Sequence, residues 1–345
     1  MPDPFLSFVS QLNTTTHQFD VRPGPVPAVL LLSRSCDHDL DAVQARLAAT
    51  GVPFLRLNAD ELAGADLLIA PDHRTVRLNG RQLTPTVSWL RHFSPSAIDT
   101  AEDPAQRLFL RDSWQAATAQ FAAVSRTSLT PARPDLLTQL RLARRHGAAV
   151  PRTLLTTTPT RAGEHFRSPR LVIKSADRHF VEPVPGRLHG IFPTVLDRAD
   201  LARQPPGPPV LVQEYVEHSA ELRVYHVAGA LHAFEVAKAS PAAPWLTPDR
   251  LDVRPVPTPP AVAAATTALA AALGLRYAAF DFLLTPDGPP VFLELNPDGD
   301  WHWAERHTGT TEVTEAVAAM LTALHRAAQP PAGRFDLLGF LVDGP

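Results

Sequence analysis

Two apolar runs near the C-terminus, Phe280-Asp281-Phe282-Leu283-Leu284 and Val291-Phe292-Leu293-Glu294-Leu295-Asn296-Pro297, flank the turn segment Thr285-Pro286-Asp287-Gly288. The pattern predicts a β-hairpin. Side chains alternate along a strand, so Glu294 and Asn296 share one face while Val291, Leu293 and Leu295 take the other. If Leu284 pairs with Val291, Asp281 lies opposite Glu294, with Cβ atoms about 5 Å apart. Two like charges left unneutralised on an apolar hairpin are costly. A hard cation with oxygen ligands removes that cost, and Mg²⁺ bridging nucleotide phosphates is the usual occupant of such a site.

The chain has two lysines, Lys174 and Lys238, against thirty arginines. Each ends an apolar run, Leu171-Val172-Ile173-Lys174 and Phe234-Glu235-Val236-Ala237-Lys238. A compact ammonium on a flexible stem suits phosphate binding and is not replaced equivalently by Arg. The alternative is that both are ordinary surface residues.

With 345 residues, 45% of them apolar, the chain can form two or three domains with sizeable cores. A net charge of −3 gives no basic field, so nucleic acid is not the expected partner. The single cysteine, Cys36, excludes an internal disulfide framework and fits a reducing, cytoplasmic compartment. Its acidic neighbours Asp37 and Asp39 disfavour a thiolate, which points to a structural rather than a reactive role. No apolar stretch reaches the ~20 residues that span a bilayer. No basic segment leads into an apolar one at the N-terminus, so neither a membrane nor a signal peptide is expected.

Along the chain, residues 1–25 read as a flexible arm. Ala28–Leu32 is a buried strand, 39–50 a helix stopped by Gly51, and 52–57 a second strand, the opening of a parallel α/β layer. Residues 76–83 form a hairpin around Asn79-Gly80, and 87–90 another strand. A helix over 101–124 carries Leu108, Leu110, Trp114 and Phe121. A second set follows: a helix at 135–147, strands at 150–155, 171–174, 210–216, 221–228 and 230–238, an Ala-rich helix at 260–273, the acidic hairpin, and a helix at 310–327 with Val313, Val317, Met320, Leu321 and Leu324 on one face. Pro-rich stretches at 203–209 and 255–260 read as loops, with Asp252-Val253-Arg254 placed in Pro-rich loop sequence. The expected division is 26–125, 126–212 and 213–328, followed by a tail at 329–345.

Several short signals remain open on their own. Gln213-Glu214-Tyr215-Val216 ends an apolar strand and can meet an adenine and ribose, or be an exposed strand end. Arg223 can reach a phosphate or pair with Glu221. Trp301 and Trp303 can form a core wall or line a substrate mouth. His302 and His307 lack the partners of a zinc site. A P-loop, a dinucleotide-binding glycine fingerprint and a nucleophile elbow are all absent.

In order, strand-Lys174, Gln213-Glu214-Tyr215-Val216, Glu221-Leu222-Arg223, Asp252-Val253-Arg254, Asp281, Glu294-x-Asn296 and Gly299-x-Trp301 resemble the ATP-grasp superfamily. The stretch Leu293-Glu294-Leu295-Asn296-Pro297-Asp298-Gly299-Asp300-Trp301-His302-Trp303 is similar to the ATP-grasp ligases that cross-link ribosomal peptides, the microviridin or graspetide maturases. Leu32-Ser33-Arg34-Ser35 with Asp37, Leu55-Arg56-Leu57-Asn58, and Gln139-Leu140-Arg141-Leu142-Ala143 leading to Val150-Pro151-Arg152-Thr153 also resemble that group.

The resemblance implies an α/β (α+β) ATP-grasp fold, with an N-terminal parallel α/β domain, a central domain and a C-terminal domain. It implies ATP and Mg²⁺ as cofactors and a ribosomal precursor peptide, leader plus core, as partner, and leaves a homodimer open. Lys174 would hold an α- or β-phosphate; Gln213, Glu214, Tyr215 and Val216 would meet adenine and ribose. Arg223 and Lys238 would stabilise the transferred phosphoryl group, and Arg254 would sit near the substrate carboxylate. Asp281, Glu294 and Asn296 would hold metal. The implied reaction is ligation through an acyl phosphate, giving side-chain esters or amides. Alternatives are a ligase for a small amino acid or glutamate, or a non-catalytic nucleotide- or peptide-binding relative. The family's phosphate-binding lysine before Gln139-Leu140 is missing, with Arg133 the nearest cation; Ser175–Phe180 is not glycine-rich, and Gly299-Asp300-Trp301 stands where the family has Gly-Gln-Trp.

Overall fold

The computed structural model describes residues 25–70, 74–94, 103–130, 133–176, 180–184, 187–190, 192–238 and 251–329. The arm at 1–25 lies outside the described residues apart from Pro25, as does the tail at 329–345 apart from Gln329. Asp177, Arg178 and His179 of the segment after Lys174 also fall outside. The chain divides into two compact units, one of residues 1–130 with 317–345, the other of residues 131–316.

The first unit is built on β1 (Val26–Ser33), α1 (His38–Ala49), β2 (Phe54–Asn58), β3 (Leu67–Ala70), β4 (Thr75–Leu78), β5 (Arg81–Leu90), α2 (Pro104–Val124) and β6 (Thr127–Leu129). β1 runs parallel to both β2 and β5. Flanked on both sides, Val29 to Leu32 are at most 1% exposed, as a continuous apolar run requires. Asp37 caps α1 by accepting the Leu40 N–H, and Gly51 follows the helix with a positive φ of 69°. Asn79 and Gly80 both have positive φ, 49° and 77°, as a tight turn between β4 and β5 demands.

Two expectations are corrected here, and α2 shows which of its apolar positions are buried. The strand expected at 87–90 is not a further strand after the hairpin at 76–83, because β5 runs unbroken from Arg81 to Leu90. An irregularity makes this possible: Ala28 pairs with Pro85 and Val29 with Val87, leaving Thr86 as the extra residue. The Thr86 hydroxyl donates to the Ala28 carbonyl at 2.9 Å. On α2, Phe121 is fully buried but Leu108 is 55% exposed. At about 100° per residue, Leu110 and Trp114 fall within about 20° of Phe121, and Leu108 falls on the far side. Cys36 is exposed rather than buried as a structural thiol; partial burial still pushes its thiol up, with Asp60 and Asp37 adding to the rise and Arg34 opposing it.

Arg91, just past β5, is enclosed with two carboxylates. Its Nε lies 3.2 Å from Asp37 and its Nη2 2.7 Å from Asp39, all three side chains being at most 2% exposed. Ser33 also donates to Asp37 at 2.5 Å.

The second unit comprises α3 (Leu136–Arg145), β7 (Thr153–Thr156), α4 (Pro159–Ala162), β8 (Arg170–Ser175), β9 (Phe180–Val184), β10 (Arg187–Gly190), β11 (Thr194–Asp197), α5 (Arg198–Leu201), β12 (Val210–Glu214), β13 (Ala220–Val227), β14 (Ala230–Lys238), β15 (Leu251–Val256), α6 (Pro260–Ala272), β16 (Tyr277–Leu284), β17 (Val291–Asn296) and α7 (His302–Thr308). α8 (Glu312–Ala327) buries Val313, Val317, Met320 and Leu321. The strands form two antiparallel sheets, β11-β8-β12-β7 and β15-β14-β13-β16-β17, plus the β9–β10 hairpin. One core packs Leu171 and Val212 against Ala162, Phe166 and Leu201. The other packs Leu222, Val224, Phe280, Phe282, Phe292 and Leu295 against Leu140, Val262, Ala265 and Leu269. Among the described residues no helix is long and apolar enough to cross a membrane.

Arg91→Met should remove a buried cation that pairs with both Asp37 and Asp39, and breaking a buried pair in this way costs about 3–5 kcal/mol. Urea unfolding of the first unit, followed by hydrogen exchange of β1, is the measurement; a loss below about 1 kcal/mol would show that the cluster is hydrated.

Candidate functional site

The register of the five-stranded sheet sorts its side chains onto two faces. Leu222, Val224, Ala233, Phe280, Phe282, Phe292 and Leu295 point into the helix-covered core. Glu221, Arg223 and Tyr225 of β13 point the other way, with Phe234 and Val236 of β14, Asp281 of β16 and Glu294 of β17. Part of this second face is aromatic and covered. Trp301 is fully buried against Tyr277, and its indole donates to Thr314, which in turn donates to Glu305. Tyr277 and Tyr225 donate to the carbonyls of Gly299 and Asp300. Trp301 is thus a core wall, while Trp303 is partly buried with its indole on the Asp300 carbonyl. His307 bonds within its own helix, to the Trp303 carbonyl, and among the described residues no cluster of three or more His, Cys, Asp or Glu forms a metal cage.

The rest of the face is charged. Asp281 lies directly opposite Glu294, though by a different route from the expected one. Val291 pairs with Leu283, not Leu284, and a bulge between Asp281 and Phe282 leaves Leu293 as the extra residue. Phe292 and Leu295 therefore share the core, which corrects the expected Val291-Leu293-Leu295 face. Arg223 donates to both Asp281 oxygens, at 3.0 and 2.8 Å. Lys174, reaching across from β8, lies 3.5 Å from Glu294. Lys238 lies 2.5 Å from Glu221. The two lysine side chains are only 6% and 8% exposed, so neither is a surface residue. Asn296 is exposed, and its Oδ1 accepts the Asp298 N–H at 3.0 Å.

Burial pushes the Asp281 carboxyl up to about 6; Arg223 opposes the rise, and Glu294 and Glu221 add to it. Loss of hydration works against the Arg223 charge, but Asp281 and Tyr225 more than offset it and keep the guanidinium protonated. The two carboxylates and one amide oxygen suit a hard cation whose remaining ligands come from phosphate or water. Gly299 closes the other side: a Cβ there would stand 2.8 Å from the Arg223 guanidinium and closer still to Ala279. A side chain at 299 would displace the arginine that holds Asp281.

The four-stranded sheet contributes Gln213 on the same face as Lys174, two register positions away. Gln213 is buried and donates to Thr153 at 2.9 Å. Glu214 is partly exposed at the end of β12. Tyr215 packs under the Arg170 guanidinium, 4.2 Å from its ring centre, and burial raises its phenol. The Val216 carbonyl bonds His218 at 2.8 Å. Arg133 forms an ion pair with Asp298.

Arg254 is not brought to this face. It lies on strand β15, not in a loop, paired in register with Glu235 and bonded to it at 2.5 Å. That register position points to the helix side of the sheet, and the side chain is 64% exposed. Two prolines suggested a loop, but Pro255 is tolerated because β15 is an edge strand. Glu221, the partner of Lys238, was read only as a partner for Arg223. Its place two residues before Arg223 on one strand was the signal that puts it on the charged face.

Cation binding here should follow the ionisation of Asp281. Its neutral form is a poor ligand for a hard ion, so affinity should be full above pH 7 and fall about tenfold per unit below about 6. The unliganded fold shows the opposite trend: it holds the Asp281 proton more tightly than the unfolded chain, so it loses stability as pH rises from about 4 to about 6. Mn²⁺ titrations between pH 5 and 8 test this; a pH-independent affinity would remove Asp281 from the ligand set.

No protein-family model matches the chain, and no curated protein matches it. Among solved structures it is similar to the macrocyclase MdnC bound with precursor peptide MdnA from Microcystis aeruginosa MRC, at 20% identity and a TM-score of 0.72, over 86% of this chain and 99% of that one. It is also similar to a Chryseobacterium gregarium RiPP-associated ATP-grasp ligase in complex with ADP and a leader and core peptide, at 18% identity and a TM-score of 0.67, over 86% and 97%. The macrocyclase MdnB from Microcystis aeruginosa MRC matches at 25% identity and a TM-score of 0.65, over 85% and 98%. The chain therefore has the ATP-grasp fold.

Proposed function

We propose that this chain is an ATP-dependent ligase that activates a side-chain carboxylate of a ribosomal precursor peptide and joins it to a hydroxyl or amine of the same peptide. The observation that carries the reading is the convergence of Asp281, Glu294 and Asn296 with Lys174 and Arg223 in an ATP-grasp fold. The ADP and peptides held by the similar enzymes support it. Residues 126–212 would form the central subdomain and 213–328 the C-terminal one. The reducing, cytoplasmic setting expected from the single cysteine suits such an enzyme.

In this reading Asp281, Glu294 and Asn296 hold Mg²⁺, which when bound neutralises charge on the nucleotide phosphates. Lys174 leaves Glu294 for a nucleotide phosphate, and Gln213 to Val216 face the adenine and ribose. The substrate carboxylate oxygen attacks the γ-phosphorus, the bond to ADP breaks, and an acyl phosphate forms. Arg223 and Lys238 sit where charge builds on the transferring group, and need no covalent chemistry of their own. The acceptor hydroxyl or amine then attacks the acyl carbon, releasing phosphate and a proton. Arg254, on the far face, takes no part in these steps.

Co-expression with a genetically neighbouring acidic peptide should yield products lighter by one water per cross-link. Glu294→Ala and Asp281→Ala should abolish both this product and ADP release while leaving the fold intact. Lys174→Met should weaken nucleotide binding by about 1.5–3 kcal/mol, the worth of a charge-assisted hydrogen bond. Calorimetry and mass spectrometry read these outcomes. Near-wild-type ADP release by Glu294→Ala would sink the metal assignment, and turnover of free amino acids without peptide turnover would favour a small-molecule ligase.

A further inference from the structure

We infer that Gln139 is a positioning residue that fixes the metal-bearing strand from outside the sheet; the inference rests on the ligase reading above. β17 is the outer strand of its sheet, with a neighbour on one side only. Along an antiparallel ladder, successive N–H groups point toward and then away from the neighbour. The N–H between Glu294 and Asn296 belongs to Leu295, and it is taken by Gln139 Oε1 at 2.8 Å. Gln139 Nε2 donates to the Pro134 carbonyl at 2.9 Å, which fixes which end of the amide faces β17.

The clamp is rigid. Gln139 is 7% exposed, and Leu140 and Ala143 of the same helix are in the core. Asp135 caps that helix through the Thr138 N–H and hydroxyl, both at 2.9 Å. The same chain segment touches β17 at one further point, where the Phe292 N–H donates to the Ala149 carbonyl at 2.9 Å, and the loop just past β17 at another, where Arg133 pairs with Asp298. Residues 133–149 thus supply what another strand would. Only the Gln139 bond falls between the two ligand positions.

The bulge explains why such a clamp is needed. An extra residue at Leu293 interrupts the ladder immediately before Glu294, so β16 alone fixes the register poorly at that point. An edge strand held only from inside can shift there, and Glu294 would leave its place opposite Asp281. Gln139 removes that freedom without entering the site.

The test uses the full chain. Gln139→Met keeps the length of the side chain and removes the acceptor. Gln139→Asn keeps the amide and withdraws it, and Gln139→Glu keeps an acceptor within reach. Mn²⁺ binding in the presence of ADP, followed by electron paramagnetic resonance, should weaken about 10–100-fold in the Met and Asn variants, the usual effect of losing a group that orients a metal ligand. Gln139→Glu should recover most of that loss. In ligand-free protein, amide hydrogen exchange should rise across 291–298 in the Met and Asn variants and stay unchanged across 221–227. Wild-type Mn²⁺ affinity in a folded Gln139→Met or Gln139→Asn protein overturns the inference alone, as does exchange that rises equally in both segments. Failure of the unaltered protein to bind Mn²⁺ with ADP overturns the ligase reading, and the inference with it.

Discussion

Two carboxylates placed opposite each other across β16 and β17 set the terms for everything around them. Asp281 and Glu294 cannot both be charged on a largely buried face without positive charge close by. The protein answers with one cation from each sheet: Arg223 from β13 beside Asp281, and Lys174 from β8 beside Glu294. The second contact also ties the four-stranded sheet to the five-stranded one. The same electrostatic demand that suits a metal ion therefore helps to hold the catalytic unit together in its absence.

The neighbouring structure preserves that arrangement. Gly299 leaves room for the Arg223 guanidinium, and the hydroxyls of Tyr225 and Tyr277 hold the carbonyls of the Gly299-Asp300 loop. Trp301 fills the covered half of the face and is itself fixed by Thr314 and Glu305. Aromatic packing on one half and ion pairs on the other divide a single sheet surface into a packed anchor and a charged floor.

Much of this was legible in the sequence, because two strong signals agreed. The carboxylates at 281 and 294 and the apolar runs around them require a paired hairpin, and Lys174 stands out against a background of arginine. The bulge was not legible. Leu293 is as apolar as its neighbours, so nothing marks it as the extra residue, and the opposition of Asp281 and Glu294 follows from either register. Arg254 was misplaced because its face depends on the pairing of β15 with β14, which two prolines concealed. Gln139 lay in a stretch that resembles the family, but its contact with β17 was not legible, because a glutamine in a helix shows such a role only once the outward N–H of a distant strand lies next to it.

The ion pairs also determine which solutes the site admits. Lys174, Arg223 and Lys238 are each matched by a carboxylate, Glu294, Asp281 and Glu221. Among the described residues, these three cations therefore offer no surplus positive charge to a bare polyanion. Phosphate, pyrophosphate or an acidic peptide arriving alone must displace a carboxylate from its partner and leave it exposed to repulsion. On the proposed ligase reading a nucleotide that brings its own divalent ion faces a lower barrier, because the cation would take over Asp281 and Glu294 as the phosphates take over Lys174. The exchange keeps charge balanced throughout. On that reading, the site would therefore act as an electrostatic filter that favours a metal–nucleotide complex over a free anion.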